Sequence, residues 1–495
     1  MFKKILIANR GEIAVRAVRA CRDLDIWTVA LFDASDRDSL HVRLADECVQ
    51  ITSPLGYLDV QQIVELALKT EADAIYPGYG FLAERKDFAA ACEAAGIVFI
   101  GPPSHVLTAF SNKIDMLEAV AAAGLAIPLH SSVSFRPHEE DIFQAEAEDI
   151  GYPLVIKSCS GGRGRASRII YRPEDLHRGV REAAAEAQMV FGSDDLYYEH
   201  MIRHATFLDV QVLADQYGNM VHLGERDGSI QRNNQKLVTE GPAPDLTPAQ
   251  RARLHEMALQ IARLFNYVNA GTIEFLMDDA GQIYFTEVKC RIQVEHPVTE
   301  MTTRRDLVRE QIRIASGERL GITQEDVRIH GTAMQCRITA EDPWNNFMPS
   351  PGFLRRFRLP GGPYVRVDSY AYSGCTVSAR YDPMIAKLVV WGETRNDCMQ
   401  RMRRALQDFA IAGIQTNLPL FQRILDDPDF IEGRYDTGFL QRSLTEAKPE
   451  VGDELLQDLA VIAAVAYQIR LQSQQPVTPD RLLQGWHRSG RQLSG

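Results

Sequence analysis

Short apolar runs alternate with segments of helical periodicity over the first 110 residues of the chain. The apolar runs lie at 4–8, 27–32, 72–76 and 97–100. Between the first two runs, apolar residues recur every three or four positions, which predicts an amphipathic helix. Strands that alternate with helices indicate a parallel sheet covered on both faces, so we predict an α/β domain over 1–110. The first run is followed by NRGE and not by GxGxxG, so no nicotinamide site is predicted.

Three further units are predicted from changes in this pattern. They are a second unit at 111–330, a third unit rich in short β patterns at 331–445, and a helical tail at 446–495. Inside the second unit, 130–200 has the pattern of a small separate lobe, in which two strands flank a glycine-rich turn whose tip can move. The stretch 453–471 predicts a helix in the tail, for which we favour docking on the main body over contact with a partner subunit.

Composition limits the class of protein. The 495 residues are 45% hydrophobic and 24% charged, which is typical of a folded globular chain. The net charge of −12 argues against nonspecific binding of nucleic acid. The eight cysteines form no CxxC pair, and the longest apolar run, 459–467, is too short to span a membrane. No secretory signal is recognised at the start, so we expect a cytoplasmic protein without nucleic-acid or membrane partners.

The first candidate for chemistry is the segment 156–167, IKSCSGGRGRAS. Lys157 would end a strand, and the glycines that follow, Gly161, Gly162 and Gly164, would let backbone N–H groups approach phosphate oxygens. This combination suits a nucleotide polyphosphate. By itself the signal is weak, because a glycine-rich hairpin is more often an ordinary turn.

Two glutamates form the second candidate. Glu274 lies in GTIEFL and Glu287 lies in IYFTEV, and both segments have a strand-like pattern. Two carboxylates on adjacent strands suit a Mg²⁺ ion that bridges phosphate oxygens. The alternative is that both side chains face solvent. The apolar flanking residues favour the metal, because an unpaired buried carboxylate is costly.

Polar residues that could bind an anion follow the second glutamate. Over 287–300, EVKCRIQVEHPVTE, Arg291 could pair with a planar anion, and Glu295 and His296 are possible general bases. A solvated polar loop is the alternative, but so many hydrogen-bonding groups beside a candidate metal carboxylate favour a functional site. The segment 231–236, QRNNQK, is by itself predicted to be a solvated turn.

Six motifs together resemble the biotin carboxylase family of ATP-grasp enzymes. They are IANRGEIAVRAVRAC, PGYGFLAE, GERDGSIQRNNQK, RIQVEHPVTEM, CRITAEDP and YDPMIAKL, in the family's order over 1–445. The resemblance implies an α/β ATP-grasp fold with an N-terminal parallel-sheet (pre-ATP-grasp) domain, a mobile lobe at 130–200 that closes over ATP, and a C-terminal α+β domain. The implied reaction joins bicarbonate to carrier-borne biotin with cleavage of ATP, in the presence of Mg²⁺ or Mn²⁺.

The resemblance also implies roles for individual residues. Those implied to bind the nucleotide or bicarbonate are Lys113, Lys157, Gly161, Gly162, Gly164, Glu199, Ile202, Gln231, Asn234, Gln293 and Val294. Those implied to act in catalysis are Lys236, Arg291, Glu295 and Arg337. Glu274 and Glu287 match the Mg²⁺ ligands. Glu295 matches the base that deprotonates bicarbonate before it attacks ATP to form carboxyphosphate, and Arg337 matches the arginine that stabilises the biotin enolate.

The chain departs from the family's motifs around ATP and its metal. Lys289 stands where asparagine is usual, Phe207 and Asn234 where histidine is usual, and His200 where lysine is usual. The glycine-rich loop lacks two glycines of the family's run, as well as the glycine and methionine that follow its basic residue. We expect an ammonium group at position 289 to repel Mg²⁺ or to take the place of a second metal ion.

Two hypotheses are therefore carried forward. The first is an active biotin carboxylase with altered nucleotide handling, which the intact phosphate lysines and metal glutamates favour. The second is a catalytically impaired or redirected ATP-grasp paralogue with a regulatory or assembly role. A third, another ATP-grasp ligase with a different nucleophile, is disfavoured by the retained Arg291 and Glu295.

Partners are inferred from motifs that the sequence does not contain. No lysine is flanked by methionines, as a biotin-attachment site would be, and the segment 446–495 is too short for a carboxyltransferase. We expect a biotin carboxyl carrier protein and a carboxyltransferase on separate chains, as in an acetyl-CoA carboxylase of fatty acid biosynthesis or a related enzyme. A homodimer is also expected, with Arg16, Arg19 and Asp23 near the family's dimer contact. The alternative for these charges is a solvated helix face.

Overall fold

The computed structural model describes residues 1–160, 166–445 and 460–468. Met1–Ser443 form one compact unit, and Leu444–Gly495 form a second. In the second unit, the described residues 460–468 are helical, and they fall inside the helix predicted over 453–471. The docking of that helix stays a prediction. Among the helices that the structure describes, none has both the length and the apolar character needed to cross a membrane.

The first unit begins with a parallel sheet and its helices. These elements are β1 (Lys4–Ile7), α1 (Gly11–Arg22), β2 (Trp27–Phe32), α2 (Leu40–Leu44), β3 (Glu47–Gln50), α3 (Val60–Lys69), β4 (Ala74–Tyr76), α4 (Lys86–Ala94), β5 (Val98–Phe99) and α5 (Ser104–Ala109). The strand order is β3-β2-β1-β4-β5, and neighbouring strands are parallel. β3 was not predicted, because its residues, ECVQ, are only half-buried and form no apolar run.

The central strand shows why the apolar runs form this sheet. Ile5 and Ile7 pack into the hydrophobic core that contains residues of α1, whereas Leu6 packs into the core that contains residues of α3 and α4. Side chains of successive strand residues point to opposite faces, so a strand covered by helices on both faces is apolar at every position.

A small lobe with its own hydrophobic core follows. It comes after α6 (Lys113–Ala122), whose buried residues belong to the larger core. The elements of the lobe are α7 (Glu140–Ile150), β6 (Leu154–Ser158), β7 (Arg168–Ile170), α8 (Leu176–Phe191) and β8 (Leu196–His200). The strands form an antiparallel sheet, β7-β6-β8, whose core includes Phe135, Ile156 and Ala183. α8 packs closely on this sheet, since a Cβ atom at Gly179 would overlap the side chain of Ile170. The two strands predicted for this lobe correspond to β6 and β7.

A large antiparallel sheet holds most of the remaining chain. The elements up to residue 315 are β9 (Thr206–Ala214), β10 (Met220–Asp227), β11 (Gln231–Arg232), β12 (Gln235–Lys236), β13 (Val238–Gly241), α9 (Pro248–Leu264), β14 (Asn269–Met277), β15 (Ile283–Lys289), α10 (His296–Thr303) and α11 (Leu307–Ala315). Those that follow are β16 (Thr332–Thr339), β17 (Glu341–Asp342), β18 (Met348–Pro349), β19 (Gly352–Phe353), β20 (Arg356–Arg358), β21 (Val365–Ser369), β22 (Thr376–Val377), β23 (Met384–Gly392), α12 (Arg395–Asp408), β24 (Ala410–Ala412), α13 (Leu418–Asp426), α14 (Pro428–Glu432) and α15 (Phe439–Thr445).

Eight of these strands form the sheet, in the order β15-β14-β9-β10-β13-β16-β23-β21. Its neighbouring strands are antiparallel throughout. Because β13 pairs with β16, strands of the predicted second and third units share one sheet. The boundary predicted near residue 330 therefore falls between strands of a continuous sheet, and it stays a prediction.

Glu300, on α10, links that helix to two other elements. It accepts hydrogen bonds from Arg16 Nη2, on α1, at 2.9 Å and from Arg366 Nη1, on β21, at 2.6 Å. Burial alone would raise the pKa of Glu300, but the two guanidinium groups lower it to about 2. Arg16 is thus buried in ion pairs within one chain, whereas Arg19 on the same helix and Asp23 directly after it are exposed. The dimer contact stays a prediction.

Acidification is expected to remove the stabilisation that Glu300 provides. The carboxyl group titrates at 4.5 when unperturbed and at about 2 in the folded chain, so its contribution is present above pH 4.5 and is lost as the pH falls toward 2. The full loss is on the order of 3 kcal/mol in the free energy of unfolding. Urea unfolding at several pH values measures it. Glu300→Gln should be less stable near neutral pH and should lose less stability on acidification than the wild type.

The matched control is Glu325→Gln, which replaces an exposed carboxylate. This variant should keep the pH dependence of the wild type. An unchanged pH dependence in Glu300→Gln as well would show that the ion pairs of Glu300 do not stabilise the fold.

Candidate active site

Three carboxylates form a row across neighbouring strands of the eight-stranded sheet. Asp209 on β9 lies opposite Glu274 on β14, and Glu274 lies opposite Glu287 on β15. Asp209 is fully buried, and Glu274 is 4% exposed. Like charges directly opposite each other destabilise a sheet, and buried charges are costly unless they are paired. The row therefore requires cations beside it.

Two cations neutralise the end of the row at β9. Lys236 Nζ, on β12, lies 2.6 Å from Asp209 Oδ2 and 3.1 Å from Glu274 Oε1. Arg226 Nε, on β10, lies 2.7 Å from Asp209 Oδ1. Burial alone would lower the pKa of Lys236, but the two carboxylates raise it, so the ammonium group stays charged. The ring of Phe207, where the family usually has histidine, lies 4.7 Å from Lys236 Nζ and adds a cation–π contact.

Two lysines neutralise the end of the row at β15. Lys289 Nζ lies 2.5 Å from Glu287 Oε1 and 3.8 Å from Glu274 Oε2, and Lys113 contacts Glu287 Oε2. Lys289 reaches both carboxylates because it lies two residues after Glu287 and so projects from the same face of the strand. Burial alone would raise the pKa of Glu287, but Lys113 and Lys289 lower it well below its usual range. This carboxylate is therefore ionised.

The carboxylate pair predicted to bind Mg²⁺ does lie on adjacent strands. In the part of the chain that the structure describes, no group of three or more His, Cys, Asp or Glu side chains is arranged to hold a metal ion. Two carboxylates fit a Mg²⁺ ion that takes its other ligands from phosphate oxygens and water. The donor set thus fits an ion that arrives with a nucleotide, and the assignment of Glu274 and Glu287 as its ligands stays a prediction.

Glu295 is held by an arginine at the start of α10. Its Oε1 lies 2.8 Å from Arg337 Nη2, on β16. Burial alone would raise the pKa of Glu295, but Arg337 and Lys236 lower it to about 2. Arg337 Nε is buried and has no hydrogen-bond acceptor among the described residues. The arginine can therefore offer a second N–H group to an incoming anion while it holds the glutamate.

His296, the other possible base, faces a different set of residues. Its Nδ1 lies 2.7 Å from the carbonyl oxygen of Gln293, and its Nε2 lies 4.0 Å from Glu300 Oε2. Burial, with Lys387 nearby, lowers the pKa of His296 well below its usual range. A neutral ring of this kind donates its Nδ1–H to the carbonyl group. Glu295 is therefore the better placed of the two bases.

The other residues implied to bind bicarbonate lie near this glutamate. Gln293 Nε2 donates to Glu274 Oε1 at 2.6 Å, so Gln293 connects the carboxylate row to the segment that carries Glu295. Arg291 Nε lies 3.1 Å from Glu84 Oε2, which anchors the arginine to the N-terminal part of the chain. Val294, which lies between Gln293 and Glu295 in the sequence, is half-buried. The structure thus brings together the residues that the sequence motif lists in succession.

A cavity of about 480 Å³ lies beside the small lobe. Its lining residues are Ile127, Pro128, Leu129, His130, His200, Ile202 and Tyr284. Largely apolar walls suit a flat aromatic base, and Ile202 is the residue that the resemblance implied there. In the same lobe, Lys157 Nζ lies 2.6 Å from Glu199 Oε2, and the hydroxyl of Tyr197 donates to Glu199 Oε1 at 2.6 Å.

The remaining nucleotide residues lie in a short hairpin or outside the described residues. Those outside are Gly161, Gly162 and Gly164. Gln231 is half-buried and pairs with Lys236 across β11 and β12, and Asn234 is exposed in the turn between these strands. The prediction of a solvated turn over 231–236 is right for the turn but wrong for Lys236, which is buried against the carboxylates.

Sequence reasoning missed two members of the cluster, Asp209 and Arg226. Asp209 lies between apolar residues of β9, whereas Arg226 lies between two acidic residues at the buried end of β10. An unpaired charge at either position is costly. The argument that singled out Glu274, a carboxylate flanked by apolar strand residues, applies equally to Asp209 in FLDVQV. The sequence therefore carries a signal for burial of Asp209. It carries no signal for the strand register that places Asp209 beside Glu274.

Models of known families match most of the chain. The biotin carboxylase N-terminal domain matches 1–107, and the ATP binding domain of carbamoyl-phosphate synthase L chain matches 113–323. The biotin carboxylase C-terminal domain matches 335–442.

Individual proteins match over a similar length. Biotin carboxylase 1 of Bacillus subtilis (strain 168) is 46% identical over 445 residues, which are 89% of this chain and 98% of that protein. The 2-oxoglutarate carboxylase small subunit of Hydrogenobacter thermophilus is 45% identical over 443 residues, 89% of this chain and 93% of that protein. The crystal structure of the biotin carboxylase domain dimer of that carboxylase, with MgADP, ADP and bicarbonate, has a TM-score of 0.87 at 44% identity. It covers 90% of this chain and 100% of that one.

The chain therefore belongs to the biotin carboxylase family, and it is an enzyme of the ATP-dependent ligase class. The predicted α/β ATP-grasp fold is confirmed by the solved structures. The alternative of a regulatory paralogue finds no support, since the relatives named here are carboxylases or carboxylase subunits.

Lys157→Met is expected to weaken the binding of ADP by roughly 10- to 100-fold, because a charge-assisted hydrogen bond to phosphate contributes about 1.5–3 kcal/mol. Titration calorimetry with ADP measures the dissociation constant. Lys69→Met, which replaces an exposed lysine of α3, is the control and should keep the wild-type affinity. Equal affinities of Lys157→Met and the wild type would exclude Lys157 from the nucleotide site.

Proposed function

We propose that this chain carboxylates biotin with bicarbonate in a reaction driven by ATP, and that a separate protein carries the biotin. The observation that carries the proposal is the position of Glu295. It is an ionised carboxylate, it lies 2.8 Å from Arg337, and it is near enough to Lys236 for that ammonium group to lower its pKa. Cations beside a buried base provide what the binding and deprotonation of a small anion require.

Bicarbonate is a poor nucleophile until it loses its proton, and Glu295 is the group proposed to accept that proton. A carboxylate whose pKa is about 2 is a weak base in the ligand-free chain. Binding of an anion between Glu295 and its cations raises that pKa, because a like charge disfavours the ionised form. The substrate thus activates its own base. Lys236 and Arg291 are the cations proposed to hold the anion.

The nucleotide is proposed to bind with its base in the cavity that Ile202 lines and with its phosphates near Lys113 and Lys157. An oxygen of deprotonated bicarbonate then attacks the γ-phosphorus, the bond to ADP breaks, and carboxyphosphate forms. Both lysines pair with carboxylates in the ligand-free chain, so we expect them to exchange those partners for phosphate oxygens. A bound Mg²⁺ ion, held by Glu274 and Glu287, would neutralise phosphate charge and align the phosphate groups.

Carboxyphosphate is proposed to break down to CO₂ and phosphate, and the phosphate takes the N1′ proton of biotin. The nitrogen then forms its bond to the carbon of CO₂. Negative charge that develops on the ureido oxygen of biotin requires a fixed cation, and Arg337 supplies it. Because Arg337 also holds Glu295, the same side chain serves both halves of the reaction.

The acceptor of the carboxyl group is proposed to be chosen by other subunits. Relatives of this chain are named as subunits of carboxylases for 2-oxoglutarate, pyruvate and methylcrotonoyl-CoA. Acetyl-CoA carboxylation in fatty acid biosynthesis is a further reaction in which we propose that the chain could act. We propose that the chain works in the cytoplasm as a homodimer, as in the dimer crystallised for the H. thermophilus domain, with carrier and carboxyltransferase proteins as partners.

The proposal predicts release of ADP that depends on bicarbonate and is stimulated by free biotin. Glu295→Gln keeps the size of the side chain but cannot accept the proton, so we expect the bicarbonate-dependent rate to fall at least about 100-fold. A coupled assay of ADP release measures the rate, and calorimetry should give an affinity for ADP within about twofold of the wild type.

Glu325→Gln, the exposed control, should keep the wild-type rate. ATP hydrolysis that is indifferent to bicarbonate, or a Glu295→Gln variant as fast as the wild type, would contradict the proposed function.

A further inference from the structure

We infer that the ammonium group of Lys289 permanently fills one cation position at the carboxylate pair, so that the active site takes a single divalent ion, which enters with the nucleotide. This inference rests on the proposed function, because it concerns the metal that accompanies ATP. It makes Lys289 a positioning residue that sets the number of metal ions.

The position of the ammonium group carries the first step of the argument. Lys289 Nζ lies 2.5 Å from an oxygen of Glu287 and 3.8 Å from an oxygen of Glu274. It therefore donates a hydrogen bond to Glu287 and forms a longer ion pair with Glu274, so its charge lies beside both carboxylates. The residue is only 6% exposed, and its backbone is fixed in β15 opposite Thr272 of β14. The ion pairs of this side chain in the described part of the chain are to these two glutamates.

Occupancy of the carboxylate oxygens is the second step. Glu274 Oε1 is contacted by Lys236 and Gln293, and Glu274 Oε2 faces Lys289. The oxygens of Glu287 are divided between Lys289 and Lys113. A divalent ion that bridges the two glutamates must therefore displace Lys289 or Lys113 from Glu287.

The two lysines that pair with Glu287 differ in whether another partner becomes available to them when the nucleotide binds. Lys113 is proposed to bind a phosphate group, so nucleotide binding draws it away and leaves Glu287 Oε2 to the ion that the nucleotide brings. Lys289 follows its glutamate by two residues on the same strand, and it remains with the carboxylates. One ion position opens on nucleotide binding, and the other stays filled.

Charge is the third step. Four cationic side chains, those of Lys113, Lys236, Lys289 and Arg226, contact the three carboxylates of the row. The cluster therefore carries a surplus positive charge before any metal binds. One divalent ion is balanced by the phosphates that accompany it. A second would enter next to an ammonium group, with no further carboxylate in the row to balance it.

The test counts bound Mn²⁺ by electron paramagnetic resonance, which detects the free ion and requires no turnover. With saturating ADP, we expect one Mn²⁺ per chain for the wild type and two for Lys289→Asn, because asparagine removes the cation and adds a ligand oxygen. Without nucleotide, Lys289→Asn should bind Mn²⁺ at least tenfold more tightly than the wild type. Lys289→Arg, which keeps the charge, should match the wild type, as should the surface control Lys69→Asn.

A second readout guards against misfolding of the variant. Mn²⁺ should raise the melting temperature of nucleotide-free Lys289→Asn, since an ion that binds only the folded chain stabilises it, and should leave that of the wild type unchanged. Lys289→Gln is the backup variant and should behave in the same direction.

Two Mn²⁺ ions per wild-type chain with ADP, or equal Mn²⁺ affinities of the nucleotide-free wild type and Lys289→Asn, would overturn the inference. Failure of the proposed function gives a different result, because a chain that binds no ADP in the same titration is not a nucleotide-dependent carboxylase. The nucleotide-free comparison decides the role of Lys289 even in that case.

Discussion

Three carboxylates lie side by side on adjacent strands, two of them buried and one half-buried, and they can do so only if cations neutralise them. The arrangement of the candidate active site follows from that constraint. Asp209, Glu274 and Glu287 would repel one another in a sheet without Lys236, Lys289 and their neighbours. Breaking a buried ion pair by removing one partner costs about 3–5 kcal/mol. Lys113 and Lys236, which are proposed to bind phosphate and bicarbonate, therefore also neutralise carboxylates that would otherwise repel one another across the strands of this sheet.

This double use relates two of the departures from the family's motifs to one another. Phe207 replaces a histidine with a ring that can only stabilise a cation, and it lies against Lys236. Lys289 replaces an asparagine with a cation, and it lies against the two glutamates. The first replacement stabilises a cation that pairs with the carboxylate row, and the second adds a cation to that row. Two residues proposed to bind bicarbonate, Lys236 and Gln293, also contact this row, and they match the family's motifs.

The sequence indicated which residues carry functional groups better than it indicated which residues lie next to one another in the fold. Glu274 and Glu287 were recognisable because a carboxylate in an apolar strand segment needs a partner. β1 was recognisable because a strand covered on both faces is apolar at its buried positions, here the three residues after Lys4. β3 carries no such signal at its half-buried edge. The pairing of Asp209 with Glu274 depends on strand register, and register arises from packing across the whole sheet. The burial of Lys236 depends on the same register, so the polar pattern of its hairpin did not indicate that this cation is buried.

The separate core of the small lobe has a consequence for how this enzyme can change. Its sheet, β7-β6-β8, packs around Phe135, Ile156 and Ala183, and the carboxylate row lies on a different sheet. Effects of substitutions on separate cores that share no contacts add, whereas effects within one ion-pair cluster do not. Replacements within the lobe's own core can therefore accumulate one at a time, except where a lobe residue such as Tyr197 packs into the larger core. A replacement in the carboxylate row, in contrast, changes the charge balance and requires a second, compensating replacement. Substitutions in the lobe's core and in the carboxylate row are therefore expected to be tolerated in different ways.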